Sequence, residues 1–180
     1  MFAAFPSVAN AQENVRQLAT RNDFKVTMLS LGSGSSRFTY ERAFSPKNSA
    51  EITFGLVGLG WDWINHSSPK GQLVKAAYKW LLAPQRRCDS WLAGLYVKPE
   101  LVAALFRYTK EAVENTTRQI ALMAEWGYQF IAGRFLLDVY MGLGPSLGTG
   151  NDNNYYHSFI ILPRDGWLAF TSGYRVGFAF

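Results

Sequence analysis

The chain has 180 residues, of which 18 are basic and 13 acidic, giving a formal net charge of +5. Its length suits one domain, and its 13 Phe, 9 Tyr, 6 Trp and 16 Gly favour strands over helices. The charged residues stand mostly singly, which argues against a nucleic-acid surface. Cys88 is the only cysteine, so an internal disulfide and a cysteine-based zinc cluster are excluded.

The first residues, MFAAFPSVANAQ, are typical of the end of a secretory signal peptide, with Ala9-Asn10-Ala11 as the cleavage site. An apolar N-terminus without processing is the alternative. We therefore divide the chain into a signal remnant (1–11), a polar lead-in (12–23) that is either a short helix or disordered, and a strand-rich domain (24–180). If processing occurs, the mature chain starts near Gln12 and is exported.

Segments in which apolar and polar residues alternate follow one another from residue 24 to the C-terminus, separated by turn-forming residues. No apolar stretch reaches 18 residues, so no transmembrane helix is predicted. The stretch GQLVKAAYKWLLA within the fourth segment also fits a helix. The predicted strands are Phe24–Leu31, Ser36–Phe44, Glu51–Trp63, Gln72–Leu82, Trp91–Tyr108, Thr117–Phe130, Arg134–Leu147 and Leu168–Phe180.

Two kinds of barrel show this alternation: a soluble barrel with an apolar interior, and an outer-membrane barrel with an apolar exterior. The polar face of the last strand, Thr171 to Ala179, consists mostly of small residues around Arg175, as a narrow lumen requires. Aromatic residues also gather at strand ends, as in interfacial girdles. The sequence therefore predicts an all-β fold, a closed antiparallel up-and-down eight-stranded transmembrane β-barrel in contact with outer-membrane lipid.

Charged residues on the predicted inner face must fill the lumen of so narrow a barrel. Because unpaired charge there is costly, we expect an ion-pair network that plugs the lumen. An ion path, or a carboxylate pair acting as acid and base, is the functional alternative. The predicted network consists of Arg37, Glu41, Lys75, Lys79, Lys98, Glu100, Glu125, Arg134, Asp138 and Arg175.

The polar connections hold the candidates for surface chemistry. In the last long connection, Tyr155, Tyr156, His157 and Phe159 form a possible recognition patch, unless SFIIL only extends the hairpin. His66 and His157 each stand beside serine, which leaves a lipid-modifying enzyme as an alternative. No metal site or cofactor is expected. Neither glycine-rich stretch, GSGSS nor GLGPSLGTG, has the ending of a phosphate-binding loop.

The pieces KVTMLSLGSGSSRFTYERAF, GLYVKPELVAALF and GYRVGFAF resemble the small, mostly uncharacterised outer-membrane β-barrel proteins of Gram-negative bacteria. The resemblance runs from about Phe24 to Phe180. It implies a compact eight-stranded barrel and supplies no catalytic residues. It also implies that Tyr174, Val176, Phe178 and Phe180 form a C-terminal signal recognised by the barrel-assembly machinery.

Together these observations predict an integral outer-membrane protein of a Gram-negative bacterium with a plugged, charged lumen. Its expected role is structural, or surface binding through extracellular loops to a ligand that the sequence does not identify. A lipid-modifying outer-membrane enzyme and a soluble lipocalin-like barrel that binds an apolar ligand remain the alternatives.

Overall fold

The computed structural model describes residues 20–31, 33–62, 70–85, 90–110, 113–149, 160–161 and 167–180. Within these ranges the chain is almost entirely β-structure, with one short helix, α1 (Met28–Leu31). The strands are β1 (Asn22–Thr27), β2 (Ser33–Ser45), β3 (Asn48–Asp62), β4 (Lys70–Pro84), β5 (Gly94–Lys110), β6 (Val113–Ala132), β7 (Phe135–Thr149), the two-residue β8 (Ile160–Ile161) and β9 (Leu168–Ala179).

Eight of these strands form a closed barrel. Each of β1 to β6 pairs antiparallel with the next strand, β7 pairs with β9, and β9 pairs with β1. At the seam, the backbone amides of Asn22 and Phe180 each donate to the carbonyl oxygen of the other, at 3.0 and 2.8 Å. The prediction of a closed antiparallel eight-stranded barrel is confirmed.

The strands differ from the predicted ones mainly at their ends. Met28–Leu31, predicted as the end of the first strand, instead forms α1, where the Ser30 hydroxyl donates to the Thr27 carbonyl at 2.7 Å. β1 therefore stops pairing with β9 at Thr27, and β8 pairs with β9 at Phe170 and Ala169 instead. The ambiguous stretch GQLVKAAYKWLLA lies in β4 and is a strand.

Side chains alternate between the lumen and the exterior along every long strand. On β6, for example, Met123 and Glu125 are buried while Leu122 and Trp126 are exposed. Exposed apolar side chains occur on each of the eight barrel strands, whereas buried charged side chains point inward. The exterior is therefore apolar and the interior charged, the reverse of an ordinary water-soluble domain.

A small apolar cluster closes the end of the barrel at which β1 begins and β9 ends. It is formed by Ala43, Leu92, Ala93, Ile131, Leu136 and Ala179, with half-buried Trp91 packed against it. Trp91–Ala93, predicted as the start of the fifth strand, instead belongs to the β4–β5 connection that enters this end. The Arg21 guanidinium stacks on Trp91 at 4.1 Å from the ring centroid. Trp91 is therefore part of a cap and not of an exterior aromatic belt.

No helix in the described ranges is long and apolar enough to cross a membrane.

Candidate functional site

Every strand of the barrel contributes at least one charged side chain to a network in the lumen. Among the described residues, six bases and six acids are buried, so their formal charges cancel. The bases are Lys25, Arg37, Lys75, Lys79, Lys98 and Arg175, and the acids are Asp23, Glu41, Glu51, Glu100, Glu125 and Asp138. A balanced interior of this kind avoids the large cost of burying net charge.

Lys25, on β1, is the centre of the half of the network nearer the end at which β1 begins and β9 ends. Its ammonium group lies 2.6 Å from Glu41 Oε2 and 2.7 Å from Glu51 Oε1, and it donates to Gln129 Oε1 at 3.1 Å. Lys79 repeats part of this pattern, at 2.9 Å from Glu41 Oε1 and 2.6 Å from Gln129 Oε1. The contacts join β1 to β3 and β6, which are not its neighbours in the sheet. The network therefore links strands across the lumen that are not hydrogen-bonded to each other in the sheet.

Glu51 and Glu125 connect this half to the rest of the network through Lys98. The Lys98 ammonium contacts the Glu51 carboxylate and lies 3.0 Å from Glu125 Oε1. Arg175 donates to both oxygens of Glu125, at 2.9 and 3.0 Å, and to Asp138 Oδ2 at 2.8 Å. These charge-assisted bonds make a continuous path from β3 through β5 and β6 to β9.

Two tyrosines complete the packing between the charges. The Tyr96 hydroxyl donates to Asp138 Oδ1 at 2.7 Å, and the Lys79 ammonium lies 4.4 Å from the centroid of its ring. The Arg175 guanidinium stacks on Tyr140 at 3.7 Å from its ring centroid. Both rings need glycine opposite them, because a Cβ at Gly127 would lie 2.6 Å from the Tyr96 hydroxyl and one at Gly173 would lie 2.9 Å from the Tyr140 hydroxyl. Aromatic rings and charges thus share one tightly filled layer.

The structure places nine of the ten charges predicted for the lumen inside the barrel: Arg37, Glu41, Lys75, Lys79, Lys98, Glu100, Glu125, Asp138 and Arg175. Arg134 is the exception, and its predicted place in the lumen is wrong. It lies exposed in the turn after Gly133, and β7 begins only at Phe135. The first inward side chain of β7 is the buried Leu136, in the apolar cluster, so Arg134 lies beyond the end of the wall.

Three members of the network, Asp23, Lys25 and Glu51, are not among the residues predicted for the lumen. A usable signal was present, because Asp23 and Lys25 alternate with exposed Phe24, and Glu51 stands beside exposed Ile52. β1 starts at Asn22, two residues before the predicted start, which brings Asp23 into the barrel. There its carboxylate accepts a hydrogen bond from the Gln129 amide at 2.7 Å.

The remaining predicted sites fall partly outside the described residues. Tyr155, Tyr156, His157 and Phe159 lie outside them, as does His66. The C-terminal residues Tyr174, Val176, Phe178 and Phe180 share the exterior face of the last strand, where Phe178 and Phe180 are well exposed.

The network is better suited to hold charge than to perform chemistry. Each of its six carboxylates lies within 4 Å of a lysine or arginine nitrogen, so none stands apart as a general base. Within the described part of the chain, no group of three or more His, Cys, Asp or Glu side chains could hold a metal ion. Two buried atoms of the network, Asp23 Oδ1 and Arg37 Nε, find no hydrogen-bond partner among the described residues.

No family model matches this chain, and neither the curated proteins nor the solved structures contain a significant match to it.

Replacing Arg175 with methionine should lower the free energy of unfolding by about 3–5 kcal/mol, because Glu125 and Asp138 would lose a buried cation. Arg134→Met is the matched control, since it removes the same side chain from an exposed turn and should cost less than about 0.5 kcal/mol. Urea titration followed by tryptophan fluorescence measures both variants. Equal losses of unfolding free energy in the two variants would show that Arg175 gains no stability from its place in the network.

Proposed function

We propose that the chain is an integral outer-membrane protein whose barrel spans the lipid bilayer, with a lumen closed to solutes by the ion-pair network. Its role is structural, or binding at the cell surface. The observation that carries the proposal is the polarity of the wall, which is apolar outside and charged inside on all eight strands. In water, so large an apolar exterior would promote aggregation, whereas lipid solvates it favourably.

The distribution of exterior side chains supports this proposal in more detail. Along β6 the exposed residues between Arg118 and Tyr128 are Ile120, Leu122, Ala124 and Trp126, with no charge among them. The ~10 residues from Arg118 to Tyr128 rise ~3.3 Å each along the strand. At a strand tilt of about 40° this gives an apolar band ~25 Å tall. That height agrees with the lipid-facing band of outer-membrane barrels.

Exposed aromatic residues gather near the end of the barrel at which β1 begins and β9 ends, which favours an interfacial girdle there. These residues are Phe24, Tyr40, Phe44, Tyr78, Trp80, Trp126, Tyr128, Phe130, Phe135, Tyr174, Phe178 and Phe180. The connections at this end include the short turns 46–47 and 133–134. Because periplasmic turns are short in such barrels, we assign this end to the periplasm.

The same observations count against a soluble barrel for an apolar ligand, because that function needs an apolar bore. Here the middle of the bore is filled by side chains such as Lys25, Lys98, Glu125 and Asp138, none of which is accessible to solvent. A barrel of eight strands has room for side chains and little else. The closed lumen favours a role on the outside of the wall or in the connections, and not transport through the bore.

Leucine-to-arginine substitution at two depths tests the membrane assignment. Leu122 lies near the middle of the apolar band, and Leu82 lies beyond Tyr78 and Trp80 near the end of β4; both are exposed. In lipid vesicles, Leu122→Arg should cost about 2–4 kcal/mol of folding free energy and Leu82→Arg about 0–1 kcal/mol. Urea titration of the vesicle-folded protein measures the difference. If both substitutions are neutral, the exterior faces water and the assignment fails.

A closed lumen predicts that the purified protein is electrically silent. In planar bilayers it should give no stepwise current, because buried ion pairs fill the bore from wall to wall. A wide outer-membrane porin added to the same bilayer is the positive control. Reproducible current steps from the wild-type protein would contradict the closed lumen while leaving the membrane assignment intact.

A further inference from the structure

The exterior of the barrel carries a concentration of positive charge at the end opposite to that at which β1 begins and β9 ends. Lys70 on β4, Arg107 on β5 and Arg118 on β6 are all exposed on three neighbouring strands. Lys70 is the direct cross-strand partner of Arg107, and Arg118 is diagonal to Arg107 because it pairs with Leu105. At such spacings three long side chains can converge on one group.

A contribution to the stability of the barrel does not explain why these three cations are present. Arg107 has an ion pair with Glu114 at 3.5 Å, in which both side chains are about two-thirds exposed (68 % and 65 %), so it contributes little. Lys70 and Arg118 have no acidic partner within the described ranges. With Glu114 included, the patch keeps a formal charge of +2, and polar Gln72 and Thr109 lie beside it.

A groove in the outer wall begins at this patch and continues into the apolar band. A depression of about 670 Å³ is lined by Lys70, Gln72, Leu105 and Arg107, among others. It adjoins a second depression of about 320 Å³, which shares Gln72 and Leu105 with it. The second one forms at Ala103, whose short side chain lies directly between those of Val74 and Ile120 on the flanking strands.

We propose that this groove is a binding site for a phosphate-bearing lipid. Lys70, Arg107 and Arg118 hold the phosphate, and one acyl chain lies over Ala103 between Val74 and Ile120. The ligand class follows from the two parts of the groove. The cations of the patch complement a phosphate, and the apolar depression at Ala103 complements an acyl chain. The two parts lie in the order in which such a lipid presents its phosphate and its chain. The inference rests on the proposed function, because the proposed orientation in the membrane places the patch at the outer leaflet.

The test compares three probes on the folded, detergent-solubilised protein by native mass spectrometry: dioleoyl phosphatidic acid, dioleoylglycerol and inorganic phosphate. We expect binding of phosphatidic acid and much weaker binding of the other two. Retention of dioleoylglycerol as tight as that of phosphatidic acid would show that the cations take no part. Inorganic phosphate bound as tightly as the lipid would assign the patch to a free anion. Either result overturns the proposal.

Two variants locate the site. The triple variant K70Q/R107Q/R118Q should bind phosphatidic acid about tenfold or more weakly. The matched control R42Q/K47Q/R134Q removes the same number of positive charges near the other end of the barrel and should bind within about twofold of wild type. Ala103→Leu fills the groove without changing charge and should also weaken binding. An equal loss in the control triple, or no loss in either site variant, contradicts the proposed site.

The folded state of each variant is checked first, by its migration on a gel in cold detergent and after boiling. If wild type shows no folded form in membranes, the outer-membrane proposal itself has failed. If the folded form is present and phosphatidic acid does not bind, only the lipid site is wrong.

Discussion

A carboxylate or an ammonium group that is removed from water needs an opposite charge and a full set of hydrogen bonds, or it destabilises the fold by several kcal/mol. Among the residues that the structure describes, six acidic and six basic side chains are buried in one lumen. The strands can therefore close only in a register that brings Lys25 to Glu41 and Glu51, and Arg175 to Glu125 and Asp138. A slip of one residue on any strand would turn its charges outward and its apolar residues inward. The network thus specifies the register.

The same network explains why the lumen needs both large and small residues. Charges, tyrosine rings and glycines alternate around the wall, as where Arg175 stacks on Tyr140 and Tyr140 faces Gly173. The apolar residues that an ordinary core would use are then left for the exterior, apart from small clusters such as the cap around Leu92. In the proposed membrane setting, lipid covers this apolar exterior. The closed bore and the apolar wall are two consequences of one arrangement.

Much of the fold could be predicted from the sequence, because apolar and polar residues alternate along each strand with a period of two. This alternation alone indicates which side chains of a strand point inward. That is why nine of the ten charges predicted for the lumen lie there. Arg134 could not be placed by alternation alone, since the period does not say where the wall ends. The partners within the network were also beyond prediction, because Lys25 meets Gln129 across 104 residues of sequence. The cap formed by Trp91–Ala93 has no alternation, and the groove at Ala103 depends on neighbours from two other strands.

The central question about this protein is whether its apolar wall lies in a membrane. The decisive measurement is gel migration of the outer-membrane fraction, with and without boiling, after expression with a cleavable secretory signal in a Gram-negative host. We expect the protein in that fraction and a change of apparent size on boiling, since a closed membrane barrel stays folded in cold detergent. Protein in the soluble periplasmic fraction, with one apparent size under both conditions, would contradict the account.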